Sequence, residues 1–242
     1  MRIIIVRHGD PNYELDTLTK TGWREAELAA EYLAKLQIKA FYVSPLGRAQ
    51  DTAGCTLKKM NRTAETRDGL REFEAHIDRP DEKKEKSICW DWHPQDMEKD
   101  LDLYDRERWN KTDIMRKGNV EEAYRWVCDG LDALLKKHGY ERDDMYYRVN
   151  EPNHDTIVLF CHFGVECVML SHLLNVSPMV LWHGLCAAPS SITSIYTEER
   201  RKGIAGFRVN EFGSTAHLYV AGEKPSFAAR FCECYGDGDR QD

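Results

Sequence analysis

The sequence has no apolar run near the roughly 20 residues needed to cross a bilayer, so a protein in solution, without a membrane partner, is expected. Excess positive charge is missing too: 34 Lys and Arg face 41 Asp and Glu, a net charge of −7. That balance argues against nucleic acid as a partner, and any anion site has to be built locally. There is no Cys-x-x-Cys pair. The eight cysteines (Cys55, Cys89, Cys128, Cys161, Cys167, Cys186, Cys232 and Cys234) are scattered through apolar or helical contexts, and no secretory leader precedes the first strand. Reduced thiols in a cytoplasmic protein fit that pattern. A metal site built from Cys161, His162, Cys167 and His172 is poorly supported, because adjacent strand residues point to opposite sides. Cys232 and Cys234 read as free thiols near a loose end. Internal repeats and an interdomain linker are absent, so one domain over residues 1–242 is expected.

What the sequence does contain begins with Ile3-Ile4-Ile5-Val6-Arg7-His8-Gly9. A short β-branched run closed by glycine reads as a buried strand delivering Arg7 and His8 at its end, where open α/β sheets place their chemistry. A neutral imidazole can take up a phosphoryl group, and a guanidinium can hold two phosphate oxygens. The plainer alternative is a half-buried histidine beside a surface arginine. Asp10-Pro11-Asn12-Tyr13 follows as a turn, and the Asn12 side chain could close over an anion or belong to a surface turn only.

Thr19 is placed to cap a helix running to Leu36, with Ala26, Ala29, Ala30, Leu33 and Leu36 on its apolar face. A strand at 40–43 ends in Ser44-Pro45-Leu46-Gly47-Arg48, with Arg48 opening the next helix, where terminal amides and a guanidinium together favour phosphate. A short strand at 64–67 leads to Leu70-Arg71-Glu72-Phe73-Glu74. Residues 76–119 turn polar and irregular, with a charge run over 78–86 and the tryptophans Trp90, Trp92 and Trp109. They form either a small cap with its own apolar patch or edge packing onto the main domain. The spacing predicts a helix over 120–138 stopped by Gly139, a loop over 142–155, and a strand over 156–161. That strand ends at His162-Phe163-Gly164 and is followed by a helix to Leu174, repeating the first unit. Later strands are expected over 191–197 and 204–210, with a frayed tail from Tyr235.

Arg7, His8, Arg48 and His162 thus fall at strand ends or turns, with Glu72 in a loop. Two arginines and two histidines at one sheet edge suit a dianion, and a carboxyl can protonate a leaving alkoxide. The sequence resembles the histidine phosphatase superfamily, the phosphoglycerate mutase-like family. The resemblance rests on Arg7-His8-Gly9 after a strand, Leu18-Thr19 before Gly22, Ser44-Pro45-Leu46-Gly47-Arg48-Ala49 with Thr52-Ala53, Leu70-Arg71-Glu72, His162-Phe163-Gly164-Val165, and Ala216-His217-Leu218.

The resemblance implies a three-layer αβα sandwich on a mainly parallel sheet, with residues 76–119 as an inserted cap that shapes substrate choice. It implies that His8 is phosphorylated, that Arg7, Arg48 and His162 bind the phosphoryl group, and that Glu72 donates the proton, in preference to Glu74. Adjacent cations should keep His8 neutral and nucleophilic. Two departures stand out. Pro11 follows Asp10 where a small hydroxyl residue is usual, leaving Asn12 as a substitute phosphate contact, and Phe73-Glu74-Ala75-His76 does not reproduce the segment that commonly follows the glutamate. The expected activity is metal-independent hydrolysis of a small phosphorylated metabolite without a cofactor; a homo-oligomer is admitted. The alternatives are a cofactor-dependent phosphoglycerate mutase and a silent phospho-ligand-binding protein. Cations such as Arg106, Arg108 and Lys111 are mixed with acids, which makes a weak carboxylate trap and favours hydrolysis over the mutase.

Overall fold

Ile3 and Ile5 pack into one apolar cluster and Ile4 and Val6 into another, because alternate residues of a strand face opposite sides of its sheet. The strand that carries them, β1 (Arg2–Arg7), is central and covered on both faces. The computed structural model describes residues 1–80 and 87–227. The charge run at 78–86 is therefore only partly described, and Cys232, Cys234 and the tail from Tyr235 lie outside the described residues.

The remaining strands of the main sheet are β2 (Ala40–Val43), β3 (Glu65–Thr66), β4 (Tyr140–Asp143), β5 (Tyr146–Val149), β6 (Thr156–Cys161), β7 (Ile192–Arg201) and β8 (Ile204–Ser214). Their spatial order is β3-β2-β6-β1-β7-β8-β5-β4. The neighbours β3, β2, β6 and β1 are parallel, while β7, β8, β5 and β4 pair antiparallel in turn. Only β7 and β5 therefore run against the direction of β1. The parallel half brings three strand ends together, and the chemistry gathers there.

Helices α1 (Lys20–Leu33) and α2 (Gly47–Met60) cover the Ile4/Val6 face through Leu33, Ala49 and Ala53. On the other face lie α3 (Val120–Lys137), α4 (Phe163–Leu174) and α5 (Pro178–Gly184), contributing Leu131, Val168 and Trp182 to the larger cluster. The result is the three-layer α/β arrangement expected from the sequence. Thr19 caps α1 as expected, accepting from the Gly22 amide at 3.1 Å. That helix closes at Leu33, and the chain to Leu36 continues only as a hydrogen-bonded turn.

Two expectations need correction. The predicted strand at 64–67 shrinks to Glu65–Thr66. The loop expected over 142–155 instead begins inside a hairpin, β4 and β5, turned at Asp144 with φ +54°. Its polar residues hide the strand pattern: Asp143 accepts from Tyr146 and Arg148 on the exposed side, while Tyr140 and Tyr147 are deeply buried.

Over residues 76–119 the three tryptophans are buried in the same cluster as Leu131 and Phe163. Trp109 meets Tyr124 and Trp182 edge-on at 5.1 and 5.7 Å, and Trp90 stacks on Trp182. The segment thus extends the main core through α5, with no separate apolar centre among the described residues.

Candidate active site

Strands β1 and β6 are paired in parallel with Arg7 opposite Cys161, so each delivers a histidine one residue later. The rings of His8 and His162 come within 5.1 Å, tilted by 55°. His8 Nδ1 donates to the carbonyl of Gly9 at 2.8 Å, which leaves the lone pair of the neutral ring on Nε2. The Gly9 amide in turn donates to Thr52 Oγ1 at 3.0 Å. Gly9 and Gly22 have no room for a side chain: a Cβ on Gly9 would stand 2.6 Å from the Gly22 carbonyl oxygen, and one on Gly22 would stand 2.2 Å from that of Asp10. This contact presses the loop after His8 against α1.

His162 is tied through its other nitrogen. Its Nε2 lies 2.8 Å from Ser44 Oγ, and that oxygen already accepts from the Leu46 amide. The serine hydroxyl can also donate its proton to Nε2, which would place the proton of His162 on Nδ1; that nitrogen is buried and has no partner among the described residues. Arg7 donates through Nη1 to the carbonyl of Ala187, and Arg48 through Nη1 to Asp16 at 2.7 Å. The Nε atoms of both arginines are buried without an acceptor. An incoming anion would meet unfilled donors on three residues, at a site whose four principal side chains are each at least nine-tenths buried.

Burial, reinforced by Arg7 and Arg48, drives the pKa of His8 well below its ordinary value. Burial also lowers that of His162, followed by the effects of His8, Arg48, Arg7 and Arg71. Both imidazoles are neutral at pH 7. Glu72 presents its carboxyl to the start of α4, with Oε1 accepting from the Phe73 amide at 2.8 Å and the Val165 amide at 3.0 Å. Burial raises its pKa despite those bonds and the nearby Arg7. Gly164 is required there, because a Cβ would come within 2.6 Å of Glu72 Oε1. Glu74, the alternative to Glu72, is exposed.

A comparison with protein families matches the histidine phosphatase superfamily, branch 1, over residues 3–210. The chain belongs to that superfamily. Solved structures bear out its fold. A phosphoserine phosphatase mutant from Entamoeba histolytica, in complex with phosphoserine, is similar at 18% identity and TM-score 0.55, covering 90% of this chain and 98% of that one. A mycobacterial glucosyl-3-phosphoglycerate phosphatase complexed with VO3 gives 18% and 0.56 over 88% and 99%. Bacillus stearothermophilus YhfR gives 16% and 0.56 over 89% and 98%. A comparison with curated proteins found no match.

Within this superfamily fold, Arg7, His8, Arg48 and His162 gather at one sheet edge as expected, with Glu72 beside α4. Asn12 sits in a small hairpin (Pro11–Asn12 with Thr17–Leu18), where its Oδ1 accepts from the Leu15 amide at 3.2 Å. Sequence reasoning missed Ser44 and Thr52 as hydrogen-bonding supports, although both lie inside the motif that identified Arg48. It also missed the Ala187 carbonyl, since backbone acceptors leave no trace in residue type. Glu166, one turn into α4, is 1% exposed with Oε1 unbonded, and burial raises its pKa to about 7.

Between the 91–104 segment and α5 lies a groove of about 540 Å³ walled by Trp92, Met97, Tyr104, Met179 and Trp182. None of the candidate catalytic side chains lines it. His183 fastens this wall: Nδ1 donates to the Met179 carbonyl and Nε2 accepts from the Trp92 amide at 2.8 Å. Among the described residues, no group of three or more His, Cys, Asp or Glu side chains is placed to hold a metal.

Proposed function

We propose that the protein is a phosphomonoesterase that hydrolyses a small phosphorylated metabolite through a phosphohistidine on His8. The observation that carries the reading is a neutral His8, free at Nε2, in the same site as a half-buried Glu72 whose pKa is raised by loss of solvent. Phosphoryl transfer asks mainly for positioning and charge neutralisation. Arg7, Arg48 and the Nδ1 proton of His162 supply both without a metal or cofactor. Asn12, its oxygen engaged in the hairpin, would offer only its amide nitrogen to the anion.

The steps balance on these groups. His8 Nε2 bonds to phosphorus as the ester P–O bond breaks, and the departing oxygen takes the proton of Glu72. The Glu72 carboxylate then accepts a proton from water, whose oxygen attacks the phosphohistidine, releasing inorganic phosphate and restoring His8. Hydrolysis is preferred to mutase chemistry because two of the cations that would grip a substrate carboxylate, Arg106 and Arg108, are engaged locally. Arg108 pairs with Asp102 at 2.9 Å and Asp105 at 3.1 Å, and Arg106 with Glu107 at 3.4 Å.

The test is hydrolysis of an aryl phosphate with and without chelator, by the wild-type protein and by His8→Ala. Chelator-insensitive turnover that disappears in the variant is expected. Phosphoryl exchange with a bisphosphoglycerate donor that outpaces its hydrolysis would favour the mutase, and cellular function undiminished by His8→Ala would favour a binding protein.

A further inference from the structure

Arg48 differs from Arg7 in what holds it. Arg7 rests on a neutral carbonyl, whereas Arg48 meets the carboxylate of Asp16. Asp16 uses both oxygens on the start of α2: Oδ1 accepts from Arg48 Nη1 at 2.7 Å, and Oδ2 accepts from the Gly47 amide at 2.6 Å. The hairpin bearing Asp16 is fixed to α2 elsewhere as well. Thr17 donates to Asp51, the Tyr13 ring lies 5.4 Å from the Arg48 guanidinium carbon, and a Cβ on Gly47 would stand 2.1 Å from the Asp16 carbonyl oxygen. The aspartate holds a left-handed backbone, φ +47°, which a short polar side chain tolerates better than most. Its pKa is lowered, the Gly47 amide and Arg48 outweighing burial, so it is ionised at neutral pH.

A guanidinium offers a bidentate anion one edge at a time. Nη1 bonds Asp16 with one of its two N–H groups, which makes the fork of Nε and Nη2 the edge clear of Asp16, and Nε is buried with no acceptor among the described residues. We propose that Asp16 is a positioning residue of the phosphate clamp, turning the Nε and Nη2 edge of Arg48 toward the phosphoryl group. This rests on the reading of Arg48 as a phosphate ligand. The proposal carries a definite sign. If Asp16 acted only through its charge, it would oppose anion binding, and its removal would tighten phosphate. If it aims the fork, its removal weakens phosphate despite the relief of negative charge.

The experiment measures binding of inorganic phosphate by calorimetry, together with KM and kcat for an aryl phosphate. The proteins are wild type, Asp16→Ala, Asp16→Asn, Arg48→Lys and the double variant Asp16→Ala with Arg48→Lys. Asp16→Ala should raise the phosphate Kd about tenfold, with KM rising more than kcat falls, and Asp16→Asn, which keeps one acceptor oxygen, should fall between it and wild type. Lysine has no fork to aim, so in the Arg48→Lys background Asp16→Ala should change the Kd less than about twofold. Tighter phosphate binding by Asp16→Ala, or an undiminished loss in the Arg48→Lys background, would overturn the assignment. Wild-type protein that binds phosphate but hydrolyses no ester would defeat the functional reading alone, since the binding cycle still measures the link between Asp16 and Arg48.

Discussion

The first and second histidine units are built alike and wired differently. Each is an apolar strand ending in a histidine, the strands are adjacent and parallel, and each unit has a glycine required by a close neighbour. What differs is the tethered nitrogen. His8 is held at Nδ1 by a carbonyl and presents Nε2, a lone pair; His162 is held at Nε2 by Ser44 and presents Nδ1, which carries the proton when the serine is the donor. One sequence pattern thus turns opposite ring nitrogens toward the site, and on the mechanism proposed above the first acts as nucleophile and the second as hydrogen-bond donor.

The largest test of that contrast is to remove each ring. His8→Ala should lower kcat on an aryl phosphate by about 10⁴-fold or more, since no other group can take the phosphoryl. His162→Ala should cost about 10² to 10³-fold, the scale of one lost transition-state donor, and should still form an acid-labile phosphoenzyme. Equal losses, with no phosphoenzyme in either variant, would erase the distinction. Next comes Glu72→Gln, expected to lower kcat by about 10²-fold or more on substrates with poor leaving groups and less on aryl esters. The proposed mechanism needs His8 deprotonated and Glu72 protonated, and their shifts are downward and upward, so activity should hold well below the ordinary histidine pKa and decline on the alkaline side as Glu72 ionises. Glu72→Gln should remove that alkaline decline.

Glu166 belongs to the second unit and has no counterpart on the first. Its folded pKa of about 7 lies above the ordinary 4.5, so the folded state keeps a proton that the unfolded chain releases first. The group's contribution is fully present below pH 4.5 and is lost as pH rises toward and through 7, by about 3 kcal/mol in all. Unfolding midpoints in urea at pH 4.5 and 8 should show Glu166→Gln gaining on wild type at the higher pH by about that amount. The smallest effect is expected from Ser44→Ala, about three- to tenfold in kcat/KM, because it removes only the bond that selects the His162 tautomer. A loss as large as that of His162→Ala would mean that Ser44 touches substrate itself.

The legible parts of this molecule were those in which side-chain type and position coincide. An unbroken run of isoleucines announces a doubly covered strand, and Thr19 and Gly139 mark where helices start and stop. Arg48 announces itself only because Ser44, Pro45 and Gly47 surround it in a motif; as a lone arginine it would read as surface. Glu72 was separable from Glu74 by motif context, and the physical reason, amides of α4 converging on one carboxyl, needed the fold. The β4/β5 hairpin stayed hidden because cross-strand bonding of Asp143 with Arg148 looks like loop polarity in the sequence. The grip of Asp16 on Arg48 spans 32 residues and a left-handed turn, which no spacing rule encodes.

The aromatic wall also has an optical consequence. Trp182 stacks with Trp90 at 6.3 Å, meets Trp109 at 5.7 Å, and donates its indole proton to the Gly164 carbonyl, one residue from an amide that holds Glu72. Coupled indoles at such separations exchange excitation and give strong near-ultraviolet dichroism, while Trp23 and Trp126, 40% and 51% exposed, emit from a more aqueous setting. A change in how α5 is seated against α4 should therefore register first in the near-ultraviolet dichroism of the buried indoles, with the emission of the surface pair unchanged.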